Sequence, residues 1–281
     1  GTYSGRIINM DKLSIFGGSG FIGRNYISIY PDNTIIGREN NAPADNDVLY
    51  LISTTHNYHV FSDVHLDINT NLNKLMDVLP NVKGTFNFAS SWFVYGDGYN
   101  APKHGAASES SPCNPKGFYS ITKKCAEDLV ESYCRTHDKQ YRIMRLCNVI
   151  GGDGGAGKKK NALEYMIGRL KNNEPIEIYR GDNYRNYLHV SDVCRAMQLV
   201  MEKGAKSCIY NIGSTKSVRL IDIVNWVIKK TNSKSVVTII DPPKFHKIVQ
   251  AENFFMDCTQ LENLGFVQKY DTLQAVETLL G

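Results

Sequence analysis

Tyr119 and Lys123 stand four residues apart, a spacing that puts a phenol and an ammonium on the same face of a helix. A cation beside a phenol favours its ionised form, so such a tyrosine becomes a usable general acid or base near neutral pH. Taken alone, a tyrosine four residues before a lysine is more often a surface pair, and the reading depends on its company. Gly17-Gly18-Ser19-Gly20-Phe21-Ile22-Gly23 spaces three glycines three residues apart (Gly17, Gly20 and Gly23), directly after the apolar run Lys12 to Phe16. Residues Arg24 to Tyr30 continue with helical apolar spacing and stop at Pro31. A strand, a glycine turn and a helix in that order let the backbone approach a pyrophosphate, while the helix N-terminus offers free N–H groups and partial positive charge. The expectation is a bound dinucleotide, touched by Gly17, Ser19, Gly20, Phe21, Ile22 and Gly23.

The choice of dinucleotide turns on the end of the second strand. An acidic residue there would hydrogen-bond the ribose 2′-hydroxyl of NAD. That place holds Gly37 and Arg38. Without a carboxylate the repulsion against a 2′-phosphate is gone, and Arg38 can pair with it bidentately, so NADP is favoured. The other reading leaves Arg38 as a solvated loop residue and gives the acidic job to Glu39, which makes the cofactor NAD.

These residues need elements to hold them. Thr34 to Ile36, Asp47 to Ser53, Gly84 to Ala89 and Tyr141 to Leu146 read as strands, and Leu66 to Leu79 and Phe118 to Arg135 as helices. Strands alternating with helices of that length predict an α/β fold, a doubly wound parallel sheet of the Rossmann type. From Gly151 the texture changes. A Gly- and Lys-rich loop (Gly151 to Lys160) precedes a helix at Ala162 to Lys171, a strand at Ile176 to Tyr179, and helices at Asp192 to Glu202 and Leu220 to Lys230. The expected organisation is a dinucleotide-binding part over 10–150, with returning elements around 186–215, and a smaller, mainly substrate-binding region over 151–281. Residues Gly1 to Asn9 precede Met10 and read as a tail, appended or natural.

Composition narrows the class. The chain of 281 residues is 42% hydrophobic and 21% charged, as expected of a globular protein. No run approaches the ~20 apolar residues that span a bilayer, and the N-terminus lacks the apolar core of a secretory signal. Seven cysteines are scattered without a Cys-x-x-Cys pair, which reads as reduced thiols in a cytoplasmic protein, and neither they nor the seven histidines have metal-ligand spacing. A net charge of +4 is too mild for a nucleic-acid binder. Lys158, Lys159 and Lys160 form a tight basic run, either a solvated loop or a rim that attracts an anionic ligand.

Three motifs follow the glycine turn in a fixed order: Ser90-Ser91-Trp92-Phe93-Val94-Tyr95-Gly96, then Tyr119-Ser120-Ile121-Thr122-Lys123, then Leu146-Cys147-Asn148-Val149-Ile150-Gly151. Together they resemble the extended short-chain dehydrogenase/reductase family, in its nucleotide-sugar epimerase/dehydratase branch, from Leu13 to about Phe266. The resemblance implies catalysis by Ser91, Tyr119 and Lys123, with Ser53 and Thr54 joining the cofactor contacts. Asn148, Arg185 and, by a looser match, Lys247 match the family's contacts to the sugar diphosphate. Thr54, Thr55, Trp92 and Tyr95 would line the sugar pocket, and Asn69 resembles an asparagine with a structural role.

The implied reaction is hydride transfer at a sugar carbon, most often C4. Tyr119 would exchange a proton with the sugar oxygen, Lys123 would lower the phenol's pKa and hold the nicotinamide ribose, and Ser91 would hydrogen-bond the reacting oxygen. Two departures from the pattern matter. Trp92 and Phe93 stand where dehydratases carry acids, which argues against a 4,6-dehydratase. The stretch between Arg38 and Asp47 is too short for the further strand and helix usual there, so the sheet is shortened after its second strand, as in small keto-sugar reductases. The leading expectation is an NADPH-dependent reductase of a nucleoside-diphosphate 4-keto-(6-deoxy)hexose. The alternative is a nucleoside-diphosphate-hexose 4-epimerase with tightly bound NAD. A third reading, a non-catalytic sensor, is disfavoured because Tyr119 and Lys123 both remain. The resemblance also implies a homodimer through Leu66 to Leu79 and Phe118 to Arg135, no nucleic-acid or membrane partner, and a place in polysaccharide or glycoconjugate synthesis.

Overall fold

The computed structural model describes residues 10–96, 99–152 and 161–281, with the backbone alone at 101 and 102. The tail Gly1 to Asn9 and the basic run Lys158 to Lys160 therefore lie outside the described residues. In chain order the first half comprises β1 (Leu13–Phe16), α1 (Phe21–Ile29), β2 (Thr34–Ile36), β3 (Asp47–Tyr50), α2 (Leu66–Ile68), α3 (Lys74–Val78), β4 (Thr85–Ser91), α4 (Ala101–His104), α5 (Phe118–Thr136) and β5 (Gln140–Leu146). The second comprises β6 (Asn148–Ile150), α6 (Ala162–Lys171), β7 (Ile176–Tyr179), β8 (Tyr184–Arg185), β9 (Tyr187–His189), α7 (Val190–Lys203), β10 (Cys208–Ile212), β11 (Val218–Arg219), α8 (Leu220–Thr231), β12 (Val237–Ile240), α9 (Lys244–Val249), α10 (Thr259–Asn263) and α11 (Thr272–Glu277).

Six strands form one parallel sheet in the order β10-β5-β4-β3-β1-β2. Its inner strands are buried along almost their whole length because both faces are covered, as is usual for parallel sheets. On one face β1 and β5 pack with Tyr26 of α1 and Val193, Met197 and Val200 of α7. On the other, Phe86 and Phe88 of β4 pack with Leu75 and Val78 of α3 and Ala126 and Val130 of α5. A third core joins α6, α8, α11 and β7 in the second half. There β6 pairs with β9, β8 with β11 and β7 with β12. The α/β sheet read from the sequence is the one observed, and β2 is its edge strand: the sheet stops where the shortened connection says it must. The turn after β2 is pinned to β1 by the buried Ser14 hydroxyl, which accepts Ala44 N at 2.9 Å and Asp45 N at 2.8 Å and donates to Asp45 at 3.0 Å.

Two differences from the sequence reading bear on the site. The third strand ends at Tyr50 rather than Ser53, so Leu51 to Ser53 leave the sheet. The helix expected over Leu66 to Leu79 is interrupted by a π turn at Asn69–Asn73. One wide turn rotates the following residues on the helix surface, and here it turns Asn71, not Asn69, into the protein. Asn71 Oδ1 accepts Thr54 N at 2.8 Å, and its Nδ2 donates to Thr54 Oγ1 at 2.8 Å and Thr122 Oγ1 at 2.9 Å. Asn69 is exposed and bonds Asn73. The structural role expected of Asn69 falls to Asn71, because only the buried amide can tie the end of β3 to α5.

The two asparagines should separate cleanly in urea unfolding. Asn71→Ala strands buried partners and is expected to lose about 2–4 kcal/mol, whereas Asn69→Ala should stay within about 0.5 kcal/mol. Equal effects would refute the assignment.

Candidate active site

The glycine turn after β1, Ser53 after β3 and Ser91 at the end of β4 stand at the C-terminal ends of their strands, where parallel α/β folds place their ligands. The glycine turn joins β1 to α1. Gly17 has φ +83°, and a Cβ on Gly23 would stand 2.4 Å from Gly17 O and 2.6 Å from Gly18 Cα. Helix and turn touch so closely that only glycine fits. Gly20 caps α1 with no side-chain acceptor, and the first turn carries no acid. The amides of Phe21, Ile22 and Gly23 and the positive helix end therefore stay available to an anion. Ser19 is exposed, and its carbonyl accepts Arg24 Nη1 at 2.9 Å. Arg38 is exposed at the end of β2, with no carboxylate at ion-pair distance among the described residues, and Lys74 Nζ holds its carbonyl at 2.9 Å.

Helix α5 begins at Gly117, which has no side-chain cap of its own. Asn57, from a 3-10 turn over Asn57–Phe61, supplies one from outside: its Oδ1 accepts Ser120 N at 3.2 Å and Ser120 Oγ at 3.1 Å. That sets the first turn of α5 and with it Tyr119. The Tyr119 ring is buried, with Phe93 packed edge-on at 5.7 Å and 84°. Burial raises its pKa, and the Ser91 and Ser53 hydroxyls oppose that by favouring the phenolate. Ser53 Oγ is buried and makes no well-formed hydrogen bond. Ser91 ends β4 and caps a 3-10 turn over Trp92–Tyr95, accepting Phe93 N at 3.3 Å.

Lys123 is 2% exposed. Its ammonium donates to Ala89 O at 2.7 Å and lies 4.4 Å above the Phe88 ring. Burial lowers its pKa to about 7, against the opposing charge of Glu127. In this structure the groups that favour the Tyr119 phenolate are Ser91 and Ser53, while the Lys123 ammonium is bonded to the strand.

The substrate candidates divide. Arg185 Nη1 donates to the carbonyls of Tyr184 at 2.9 Å and Glu252 at 2.8 Å, and no carboxylate pairs with it among the described residues. A guanidinium held by carbonyls alone keeps its charge free for an anionic ligand. Asn148 is half-buried beside it in the fold, its Nδ2 on Asn186 O at 3.1 Å. Lys247 does not join them: it is exposed and paired with Asp241 at 2.6 Å. Trp92 and Tyr95 are covered, Trp92 against Phe254 at 4.6 Å and Tyr95 with its ring under Arg145 at 4.8 Å and its hydroxyl on Asn211. Tyr95 is thus a core residue in this structure, since its one polar atom is already used. Thr54 is buried, its hydroxyl on Asp67 and its amide on Asn71, while Thr55 is exposed.

Three features escape sequence reading. Asn57 lies 63 residues from the amide it caps. Glu127 is buried eight residues after Tyr119 on the same helix face, a spacing that could have flagged it. Tyr58 donates to or accepts from His246 Nδ1 at 3.0 Å, and Tyr58 and Phe61 pack on Phe245 at 5.1 and 4.7 Å, joining the segment after β3 to α9. Burial, with Arg185 and Arg180 nearby, pulls the His246 imidazole down to about 4, so it is neutral at pH 7.

The glycine cradle, the uncapped helix end and the orphaned Ser53 hydroxyl fit a dinucleotide. No group of residues that could hold a metal ion occurs among the described residues, and no helix among them is long and apolar enough to cross a membrane.

Comparison with known proteins agrees with this geometry. The low-salt glycan biosynthesis protein Agl12 of Haloferax volcanii is 26% identical over 319 aligned positions, covering 97% of this chain and 99% of that one. Among solved structures, the UDP-glucose 4-epimerase of Thermotoga maritima, determined with UDP-glucose, superposes with a TM-score of 0.83 at 19% identity, over 96% of this chain and 97% of that one. RMD of Pseudomonas aeruginosa, complexed with NADPH, gives 0.80 at 19% identity, over 96% and 98%. The sequence model of the NAD dependent epimerase/dehydratase family matches residues 48–213. The chain belongs to that family of nucleotide-sugar enzymes.

Proposed function

We propose that this enzyme is an NADPH-dependent reductase of a nucleoside-diphosphate 4-keto-(6-deoxy)hexose. The observation that carries the reading is the edge of the sheet: β2 is its last strand, and exposed Arg38 stands at its end without a carboxylate partner among the described residues. That end suits a 2′-phosphate and a cofactor that exchanges every turnover. Phe93, packed on Tyr119, leaves an apolar surface beside the phenol where elimination of water would need an acid. When bound, the nicotinamide would supply the hydride. Tyr119 gives a proton to the sugar oxygen, Ser91 hydrogen-bonds that oxygen, and Arg185 with Asn148 holds the diphosphate. Residues 10–150, with the returning elements around 186–215, hold the dinucleotide, and 151–281 mainly the sugar nucleotide. Ile68 of α2 and Phe118 and Ile121 of α5 are exposed apolar side chains on adjoining helices, which suits a homodimer. The name of the Haloferax relative supports a place in glycan synthesis.

A 4-epimerase is the second reading, favoured by the likeness to the Thermotoga enzyme. An epimerase must retain its cofactor, because the hydride it removes has to be returned. Denaturing the purified protein and assaying the supernatant for nicotinamide decides between them. An empty protein that oxidises NADPH steadily with a 4-keto sugar nucleotide supports the reductase; tightly bound NAD and no NADPH consumption would replace it with the epimerase.

Tyr119→Phe should lower kcat by about 10²- to 10⁴-fold with cofactor affinity retained; an active variant would remove Tyr119 from the proton path. Arg38→Ser should weaken NADPH about 10- to 100-fold, the worth of a charge-assisted hydrogen bond, and leave NADH unchanged. Equal losses for both cofactors would discard the role given to Arg38.

Lys123 also has a signature in the cofactor-free protein. Its folded pKa of about 7 lies below the ordinary 10.5, so between those values the unfolded chain binds more protons than the folded one. Stability relative to Lys123→Met should therefore rise from about pH 7 towards 10.5, as read from urea midpoints. A flat difference across that window would mean the amine is not buried as described.

A further inference from the structure

Glu127 sits in the interior with no assigned task. Its carboxylate is 1% exposed and is gripped by Arg145 of β5, from Nε at 3.0 Å and Nη2 at 2.8 Å. A bidentate ion pair accounts for the charge but not for a third contact: Ser90 Oγ donates to Glu127 Oε1 at 2.6 Å. Ser90 is the middle one of three residues at the end of β4. The carbonyl of Ala89 before it receives the Lys123 ammonium at 2.7 Å, and the hydroxyl of Ser91 after it lies against Tyr119. On α5, Tyr119, Lys123 and Glu127 recur every four residues on one buried face. Three successive strand residues are thus met by three successive turns of one helix, and the last pair is the one that no reacting atom uses.

We propose that Glu127 is a positioning residue, which acts through Ser90 to hold the end of β4 so that Ser91 and the Ala89 carbonyl face Tyr119 and Lys123. This rests on the reading of Ser91, Tyr119 and Lys123 as the reacting set. The tie sits where it can matter most: Ser91 is the last residue of β4, registered against Leu146 of β5, and the chain runs straight from it into the 3-10 turn over Trp92–Tyr95. A hydroxyl-to-carboxylate bond is short and charge-assisted, stronger than a neutral one, and is shielded from water here. The same carboxylate faces Lys123 and favours its protonated form. The other charged or titratable groups facing this cluster are Arg145 on β5, Tyr95 on the 3-10 turn, and Glu109 and Cys113 on the segment before α5.

Three variants and two readouts test it. Ser90→Ala cuts the tie and leaves the Glu127–Arg145 pair intact; Ser90→Thr keeps the hydroxyl. Glu127→Gln keeps an acceptor for Ser90 but removes the charge, and because it strands Arg145 the Ser90 pair decides the matter if that variant fails to fold. The first readout is NADPH-dependent reduction of a 4-keto sugar nucleotide across pH. Ser90→Ala should lower kcat about tenfold or more, with KM within about twofold and a melting temperature lower by only a few degrees, so that the variant stays folded in the assay, as expected of a misplaced group rather than a lost contact. Ser90→Thr should restore most of the rate. The second readout needs no substrate: the Lys123 side-chain signal in ¹³C-lysine-labelled protein, assigned with Lys123→Met, titrated with pH. Glu127→Gln should move its midpoint to lower pH. Wild-type kcat in Ser90→Ala, or a kcat loss matched by an equal fall in melting temperature, would overturn the proposal. If the wild-type enzyme reduces no keto sugar, the reductase reading fails, and an unmoved Lys123 titration in Glu127→Gln would separately sink the role of Glu127.

Discussion

Lys123 carries a primary amine to a place that water hardly reaches, and a buried ammonium has to be met by something. It is met by the Ala89 carbonyl, by the face of Phe88 and, at longer range, by Glu127. Two of those three belong to β4, so burying the amine and docking α5 on the end of β4 are one event. Burial still brings the pKa to about 7. The amine therefore changes charge within the range where an enzyme works, and small changes around it matter. The glycine turn, the end of β3 and the Ser91 hydroxyl are all arranged about this junction between strand and helix.

The phenol follows a different logic. Tyr119 is held apolar on one side by Phe93 and polar on the other by Ser91 and Ser53. Hydroxyl groups that can donate to a phenolate can also donate to a sugar oxygen, so the same two residues that ease ionisation can share their hydrogen bonds with a substrate. In this structure Ser91 and Ser53, not the lysine, do that work.

Charge is placed with equal economy at the two ends of the cleft. The end of α1 offers amides without an acid in its first turn, Arg38 stands beyond the edge strand, and Arg185 is held by carbonyls only. Positive groups without carboxylate partners attract anions, and on the proposed reading the cofactor's phosphates would meet the first two and the sugar diphosphate the third. Lys247 shows the contrast. It sits on an exposed helix with Asp241 at hand, and a solvated pair of that kind gains little from a further anion.

The sequence alone determined the sheet, the glycine turn and the placement of Tyr119 and Lys123 one turn apart on a helix, because each depends on local spacing: strand length, three glycines in step, and one helical turn. It also determined that the sheet ends at β2, since a chain cannot fit another strand and helix between Arg38 and Asp47. Other features depended on residues far apart in the chain. Whether Asn69 or Asn71 turns inward was decided by a π turn that adds a residue to the helix period, and periodicity alone does not reveal such an insertion. Tyr95, expected at the pocket, is claimed by Asn211, 116 residues away in the chain, and by Arg145 of β5. Asn57 caps α5 from another segment, and His246 meets Tyr58 from the far half of the chain. Side-chain hydrogen bonds between distant segments leave no period in a sequence, so only the tertiary structure could assign them.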